Sequence, residues 1–198
     1  MEQKLFCFAK PKKKPNPHPH LFVARYAGQL WHADIHYVTI DEAQYYLLGF
    51  IDDRSRLLLH YEVLPMKTSD LCGMVLIRAL NKVPIRPKML TIDNGGKFVG
   101  ESFQQVLSSY QIEQFRTHPN TPQQNGKIER FWLTIERAKG PNVPWSLLKI
   151  SELVYVYNNF WPHRSLKILT HQKTTPCEAL NSMVKYSGQQ DADIEMIK

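Results

Sequence analysis

The sequence contains no run of about 18 apolar residues, so it offers no segment suited to cross a bilayer as a helix. It also shows no pattern of a secretory leader. The opening MEQKLFCFAKPKKKP puts a few apolar side chains ahead of its lysines, the reverse of a charged start followed by a long apolar stretch. Cysteine is scarce: Cys7, Cys72 and Cys177 are far apart, odd in number and form no C-x-x-C pair. That argues against a disulfide framework and against a zinc site built from thiolates, and it fits a reducing, intracellular compartment. No internal repeat is visible.

What is present is an ordinary globular composition. The 198 residues are 43% hydrophobic and 22% charged, enough for one packed domain with tails or a small appendage. The formal net charge of +7 favours polyanionic partners, of which nucleic acid is the commonest. Part of that excess lies in one short run, Lys10, Lys12, Lys13 and Lys14.

Hydrophobic patterning divides the chain into four parts. Residues 1–27 carry KPKKKPNPHPH, whose alternating prolines and lack of apolar period predict a basic tail or linker. Its lysines suit a nuclear address, a phosphate-contacting arm or a solvated linker. Residues 28–140 hold the expected core. LWHADIHYVTI, YYLLGFIDD and RLLLHYEVL are rich in β-formers, and Asp41–Glu42 marks a turn, so three antiparallel strands are expected first. TSDLCGMVLIRALNKV has helical spacing with Thr68, Ser69 or Asp70 as its cap. KMLTID is a short strand closed by Asn94-Gly95-Gly96, SFQQVLSSY a short helix, and IEQFRTH a fifth strand. The polar THPNTPQQNG predicts an exposed loop. In the helix that follows, Ile128, Phe131, Trp132 and Ile135 form one apolar face, with Glu129 on its border. Residues 141–186 predict a helical extension of the core, including WSLLKISELVYVYNNFW, and 187–198 a tail. The order β-β-β-α-β-α-β-α-α implies an α/β fold with a mixed five-stranded sheet flanked by helices.

Three carboxylates stand out within this layout. Asp34 lies inside the first strand between Trp31, His32, Ala33, Ile35 and Tyr37, where strand propensity is poor and a charge is costly to bury. Asp93 ends the fourth strand, and the carboxyl ends of strands in α/β sheets are where reactive groups gather. Glu129 follows after 35 intervening residues. Converging carboxylates repel, and a divalent cation removes that cost; oxygen-only ligands suit Mg²⁺ or Mn²⁺. Two such ions can clamp a phosphodiester for in-line displacement. The chain has eighteen acidic residues, so a triple alone is weak. Asp34 has the alternative of pairing with His32 or a buried arginine, and Asp93 of merely opening a turn.

A wider set of motifs gives the triple its meaning. W-H-A-D surrounds Asp34, F-I-D-D-R-S-R occupies 50–56, and T-I-D-N-G-G-K-F occupies 91–98. H-P-N-T-P-Q-Q-N-G-K-I-E-R-F covers 118–131, Y-N-N-F-W-P-H-R-S-L covers 157–166, and T-P-C-E-A-L covers 175–180. In this order and spacing, over roughly residues 28–180, the sequence resembles the core of retroviral integrases and, more closely, of bacterial insertion-sequence transposases. The resemblance implies a ribonuclease-H-like fold and Asp34, Asp93 and Glu129 as catalytic metal ligands for Mg²⁺ or Mn²⁺, two ions when DNA is bound. It implies hydrolytic cleavage at a DNA 3′ end and strand transfer into a target, without a nucleotide cofactor or a covalent enzyme–DNA intermediate. It implies DNA as partner, both element ends and target, and a homo-oligomer that brings two ends together. Asn94 and Gly95 then support the turn that aims Asp93. Gln123, Gln124, Asn125, Lys127 and Arg130 become DNA contacts, with solvated helix charge the plain alternative for the two cations. Asp52 and Asp53 are expected only to shape a turn with Arg54, Ser55 and Arg56. Asn158, His163 and Arg164 are expected to be structural, and Trp132 and Trp145 to belong to the core.

The sequence departs from that family in two ways. Lys97 stands where an acidic residue commonly precedes the Phe. Neither an N-terminal zinc or helix-turn-helix module before residue 28 nor a basic β-barrel after residue 186 is expected. Two further readings therefore stay open beside an active transposase: a catalytically inactive or host-retained module that binds DNA or protein, and a ribonuclease-H-like nuclease that only hydrolyses. The expected compartment is the nucleus in a eukaryote or the cytoplasm in a bacterium.

Overall fold

The computed structural model describes residues 21–93, 95–116, 125–170, 172–187 and 195–197. The three expected strands are β2 (Leu30–Ile40), β3 (Ala43–Asp52) and β4 (Leu58–Leu64). Asp41 and Glu42 both take positive φ, 49° and 65°, and Ile40 pairs directly with Ala43. A two-residue turn of that hand matches the twist of a hairpin, although Asn-Gly is its usual sequence. Helix α1 (Ser69–Lys82) follows, and of its three candidate caps Thr68 is the one used, accepting from the Leu71 N–H. Strand β5 (Met89–Ile92), helices α2 (Gly96–Val99) and α3 (Glu101–Ser109), strand β6 (Glu113–Arg116) and helix α4 (Gly126–Lys139) complete the core. The sheet order is β4-β3-β2-β5-β6, antiparallel across the first three strands and parallel from β2 through β5 to β6. This is the mixed five-stranded sheet flanked by helices that the sequence predicts.

Side-chain alternation along β2 separates two cores, one on each face. Trp31, Ala33 and Ile35 pack with Leu48 and Phe50 against α1 and α3. Val38 packs with Leu47 and Ile51 against α4, through Ile128, Phe131, Trp132 and Ile135, and against α5 (Leu147–Asn159). His32, Asp34 and His36 share Val38's side of the strand, so the period of two sends Asp34 toward α4.

Beyond α5 the expected helical extension continues as two helices, α6 (Arg164–Thr170) and α7 (Pro176–Ser187). Thr175 caps α7 reciprocally with Glu178: Thr175 Oγ1 accepts from the Glu178 N–H, and Glu178 accepts from the Thr175 N–H. This T-x-x-E capping box was a legible start signal. The expected tails also contain regular structure: β1 (Leu21–Val23) pairs antiparallel with β7 (Glu195–Ile197). Backbone hydrogen bonding over three residues needs no apolar period, which is why the pattern missed it. No helix among the described residues is long and apolar enough to cross a membrane.

Candidate active site

The fold sets two of the three singled-out carboxylates level on neighbouring strands and carries the third on the helix packed against them. Strands β2 and β5 run parallel with His32 opposite Thr91. Carried two residues further, that register sets Asp34 level with Asp93, just beyond the last residue of β5. Glu129 lies in the first turn of α4, the helix that covers this face of β2.

Asp34 is largely withdrawn from water, and its surroundings are charged. Burial pushes its carboxyl up to about 6, with the negative charges of Asp93 and Glu129 adding to the rise; a backbone hydrogen bond at Ile35 and the Lys97 charge oppose it. Partial desolvation also raises Glu129. The indole Nε1–H of Trp132 donates to Asp34 Oδ2 at 3.1 Å and fixes its orientation. That contact exists because Asp34 pairs across the hairpin with Gly49. A Cβ at Gly49 would stand 2.7 Å from Trp132 Cη2, so only a bare backbone lets the indole cross β3 to reach the carboxylate. His36 stacks on the other side of the same indole, with ring centroids 5.4 Å apart.

Asp93 has both oxygens engaged. Oδ1 accepts from the Gly95 N–H at 2.9 Å, and Oδ2 meets the Lys97 ammonium at 2.8 Å. Asn94 lies outside the described residues, as do Gln123 and Gln124. Among the described residues, no group of three or more His, Cys, Asp or Glu is gathered tightly enough to hold a metal ion. The donor set nevertheless fits a hard divalent cation: it consists of carboxylates, and the charges of Asp93 and Glu129 add to the rise at Asp34.

Three of the remaining expectations change. Asp52 and Asp53 are fully buried, and they do more than shape a turn. Asp52 accepts from the Gly28 N–H at 2.6 Å and from the Ser55 N–H and hydroxyl. Asp53 accepts from the Ala24 N–H at 2.9 Å and from His32 Nε2 at 2.8 Å, and it pairs with the Lys127 ammonium. Burial alone would raise the Asp53 carboxyl; the His32 hydrogen bond and the Lys127 charge outweigh it and hold the group well below the usual range. Burial lowers Lys127 to about 8 despite Asp53, and it lowers His32 as well. Lys127 is thus directed inward, toward a buried carboxylate. Asn125, expected to face DNA, is only 4% exposed at the start of α4. Arg130 is exposed beside Glu129. Asn158 is structural as expected, bonding the Leu58 N–H and carbonyl at 3.0 Å, and Trp132 and Trp145 lie in the α4–α5 core.

Comparison with known proteins gives this geometry a family. The profile of the integrase core domain matches residues 24–122, half of the sequence, and a second integrase core domain profile matches residues 110–170. The chain belongs to the integrase core family. It is 35% identical over 121 residues, 59% of its length, to a retrovirus-related Pol polyprotein from transposon TNT 1-94 of Nicotiana tabacum, of which it covers 8%. It is 28% identical over 162 residues, 72% of its length, to a putative integrase ORF3 of Spiroplasma virus SpV1-C74, of which it covers 43%. This integrase core thus spans less than half of either curated relative. Among solved structures, a simian T-cell lymphotropic virus intasome in complex with PP2A regulatory subunit B56 gamma superposes with a TM-score of 0.71 at 20% identity, covering 92% of this chain and 62% of that one. The HTLV-2 integrase catalytic core domain in complex with magnesium, in its trimeric form, gives 0.62 at 18% identity, with 78% and 97% covered. At such identities the structures establish the fold.

Proposed function

We propose that this integrase core cuts DNA at a 3′ end and joins that end to target DNA, using Asp34, Asp93 and Glu129 as ligands for Mg²⁺ or Mn²⁺. What supports the reading is the placement of those carboxylates, at integrase spacing, on a central strand, just past the end of its parallel neighbour and on the covering helix. Bound there, divalent metal supplies positive charge to the scissile phosphate and to the attacking and leaving oxygens.

The protein's own groups hold the geometry. Trp132 orients Asp34, and the Gly95 N–H orients Asp93. Lys127, two residues before Glu129, ties the start of α4 to Asp53, which also holds His32, two residues before Asp34 on the same side of β2. One buried carboxylate therefore sets the spacing between the helix and the strand that carry two of the ligands. Arg130, exposed one residue past Glu129, contacts phosphate, and Gln123 and Gln124, just before α4 in the sequence, are proposed as further DNA contacts. Joining two ends calls for a homo-oligomer, consistent with dimeric and trimeric forms of the HTLV-2 core. The setting is intracellular, where genomic DNA is.

The test is incubation of end-labelled duplex DNA with Mn²⁺ and either the wild-type protein or Asp93→Asn. Shortened and joined products from the wild type alone are expected. Shortened products without joined ones would assign a nuclease. A second reading, a binding module without catalysis, is favoured by the pairing of Asp93 with Lys97. It requires DNA binding that is indifferent to Mn²⁺ and to neutralising any of the three carboxylates.

A further inference from the structure

Lys97 is the residue that breaks the expected acidic pattern after Asp93, and the structure shows where its charge goes. From the second position of α2 its ammonium turns back four residues to Asp93 Oδ2, 2.8 Å away. The lysine side chain is only 13% exposed, against 39% for the aspartate, so this is not a pair of waving surface charges. Two features build the slot. The buried ring of Phe98 lies beneath the ammonium, 4.8 Å from nitrogen to centroid. Gly95 leaves the space open: a Cβ there would fall 2.8 Å from Lys97 Nζ and 2.9 Å from Asp93 Oδ1. The ammonium's field also reaches Asp34, the second carboxylate of the set. A monovalent cation thus sits on the carboxylate cluster where the fold would seat a divalent one.

We propose that Lys97 is a built-in competitor for the metal site, so that a divalent ion coordinates Asp93 only by displacing the Lys97 ammonium from Oδ2. The inference rests on the assignment of Asp93 as a metal ligand. Oδ1 already accepts from the Gly95 N–H, so a divalent ion held by Asp93 would contend with Lys97 for Oδ2, and a +1 charge left 2.8 Å from that oxygen would repel the incoming ion. The consequence is a protein whose metal-free state is already partly neutralised and whose metal affinity is set below what its three carboxylates alone would give.

The test is calorimetric titration of the full 198-residue chain with MnCl₂ at fixed ionic strength, comparing wild type, Lys97→Gln, Lys97→Arg and Asp93→Asn. Lys97→Gln removes the charge and is expected to bind Mn²⁺ about five- to tenfold more tightly, the scale of a partly buried ion pair and its repulsion. Lys97→Arg keeps a cation beside Asp93 and is expected to stay within about twofold of wild type, since the charge at this position is what competes. Equal affinity for wild type and Lys97→Gln, with binding abolished by Asp93→Asn, would overturn the proposal and leave the metal site standing. Tightening by Lys97→Arg equal to that by Lys97→Gln would also overturn it. Mn²⁺ binding unaffected by Asp93→Asn would remove the metal-site reading itself, and the proposal with it.

Discussion

Asp34→Asn should make the metal-free protein more stable, although it removes one of the proposed metal ligands. The folded state raises this carboxyl from its ordinary 3.8 to about 6, so folding binds the proton more tightly than the unfolded chain does. Between those values the native state carries more protons, and stability from this group falls as pH rises, reaching its full penalty above about pH 6.5. About two pH units at roughly 1.4 kcal/mol each give a penalty near 3 kcal/mol at pH 7.5, shrinking to about 0.5 kcal/mol at pH 4. Asparagine carries no charge, and its amide oxygen can still accept from Trp132 Nε1, so most of that penalty should vanish. Urea unfolding in EDTA should therefore show a gain of about 2–3 kcal/mol at pH 7.5, seen as a higher midpoint with an unchanged slope, and almost none at pH 4. Saturating Mn²⁺ should close the gap, since metal at one hundred times its dissociation constant stabilises the wild type by about 2.7 kcal/mol and the variant little. A variant that is less stable than wild type at pH 7.5, or a gap of equal size at both pH values, would refute the account of Asp34 as a charge strained by burial and by its carboxylate neighbours.

Other perturbations address the groups around it. Trp132→Phe keeps most of the ring packing but deletes the Asp34 hydrogen bond; strand transfer should fall more than tenfold while urea stability drops by about 1–2 kcal/mol. Gly49→Ala should reproduce that loss of activity without touching a polar group, because the new Cβ meets the indole at 2.7 Å; the intrinsic Trp132 fluorescence should shift as the ring is displaced. Lys127→Met leaves Asp53 buried with one fewer counter-charge and should cost about 2–4 kcal/mol at neutral pH. The wild-type contribution of Asp53 follows the opposite sign to that of Asp34: its carboxyl is depressed in the fold, so its stabilisation is present above the ordinary carboxylate range and is lost as pH falls through and below it, measurable as the acid limb of a stability profile.

How much of this was legible in the sequence differs residue by residue. Asp34, Asp93 and Glu129 stood out because strand and helix periods are local, and a motif series fixed their spacing; the β2–β5 register then places the two aspartates level. The apolar face of α4 followed from the helical period alone, and the structure buries the same four side chains. The contacts that hold the site were not legible, because each joins residues remote in sequence. Trp132 read as core, and it is core, but its Nε1–H also serves Asp34, 98 positions away. Gly49 carries no pattern at all, since its importance lies in the atom it lacks. Asp53 and Lys127 looked like turn and helix-surface charges because propensity assigns charge to solvent. Their burial depends on the fold bringing together residues 74 positions apart. The departure at Lys97 was visible; its return to Asp93 was not, since a turn of unknown geometry lay between them.

The central claim is that Asp34, Asp93 and Glu129 share divalent metal. Its most direct measurement is a crystal structure of the protein soaked in Mn²⁺, read by anomalous scattering. The account predicts a peak between the three carboxylates, with an Asp93 oxygen bound to it and Lys97 swung away. A peak absent at millimolar Mn²⁺, or one seated elsewhere while Lys97 keeps its hold on Asp93, would contradict it.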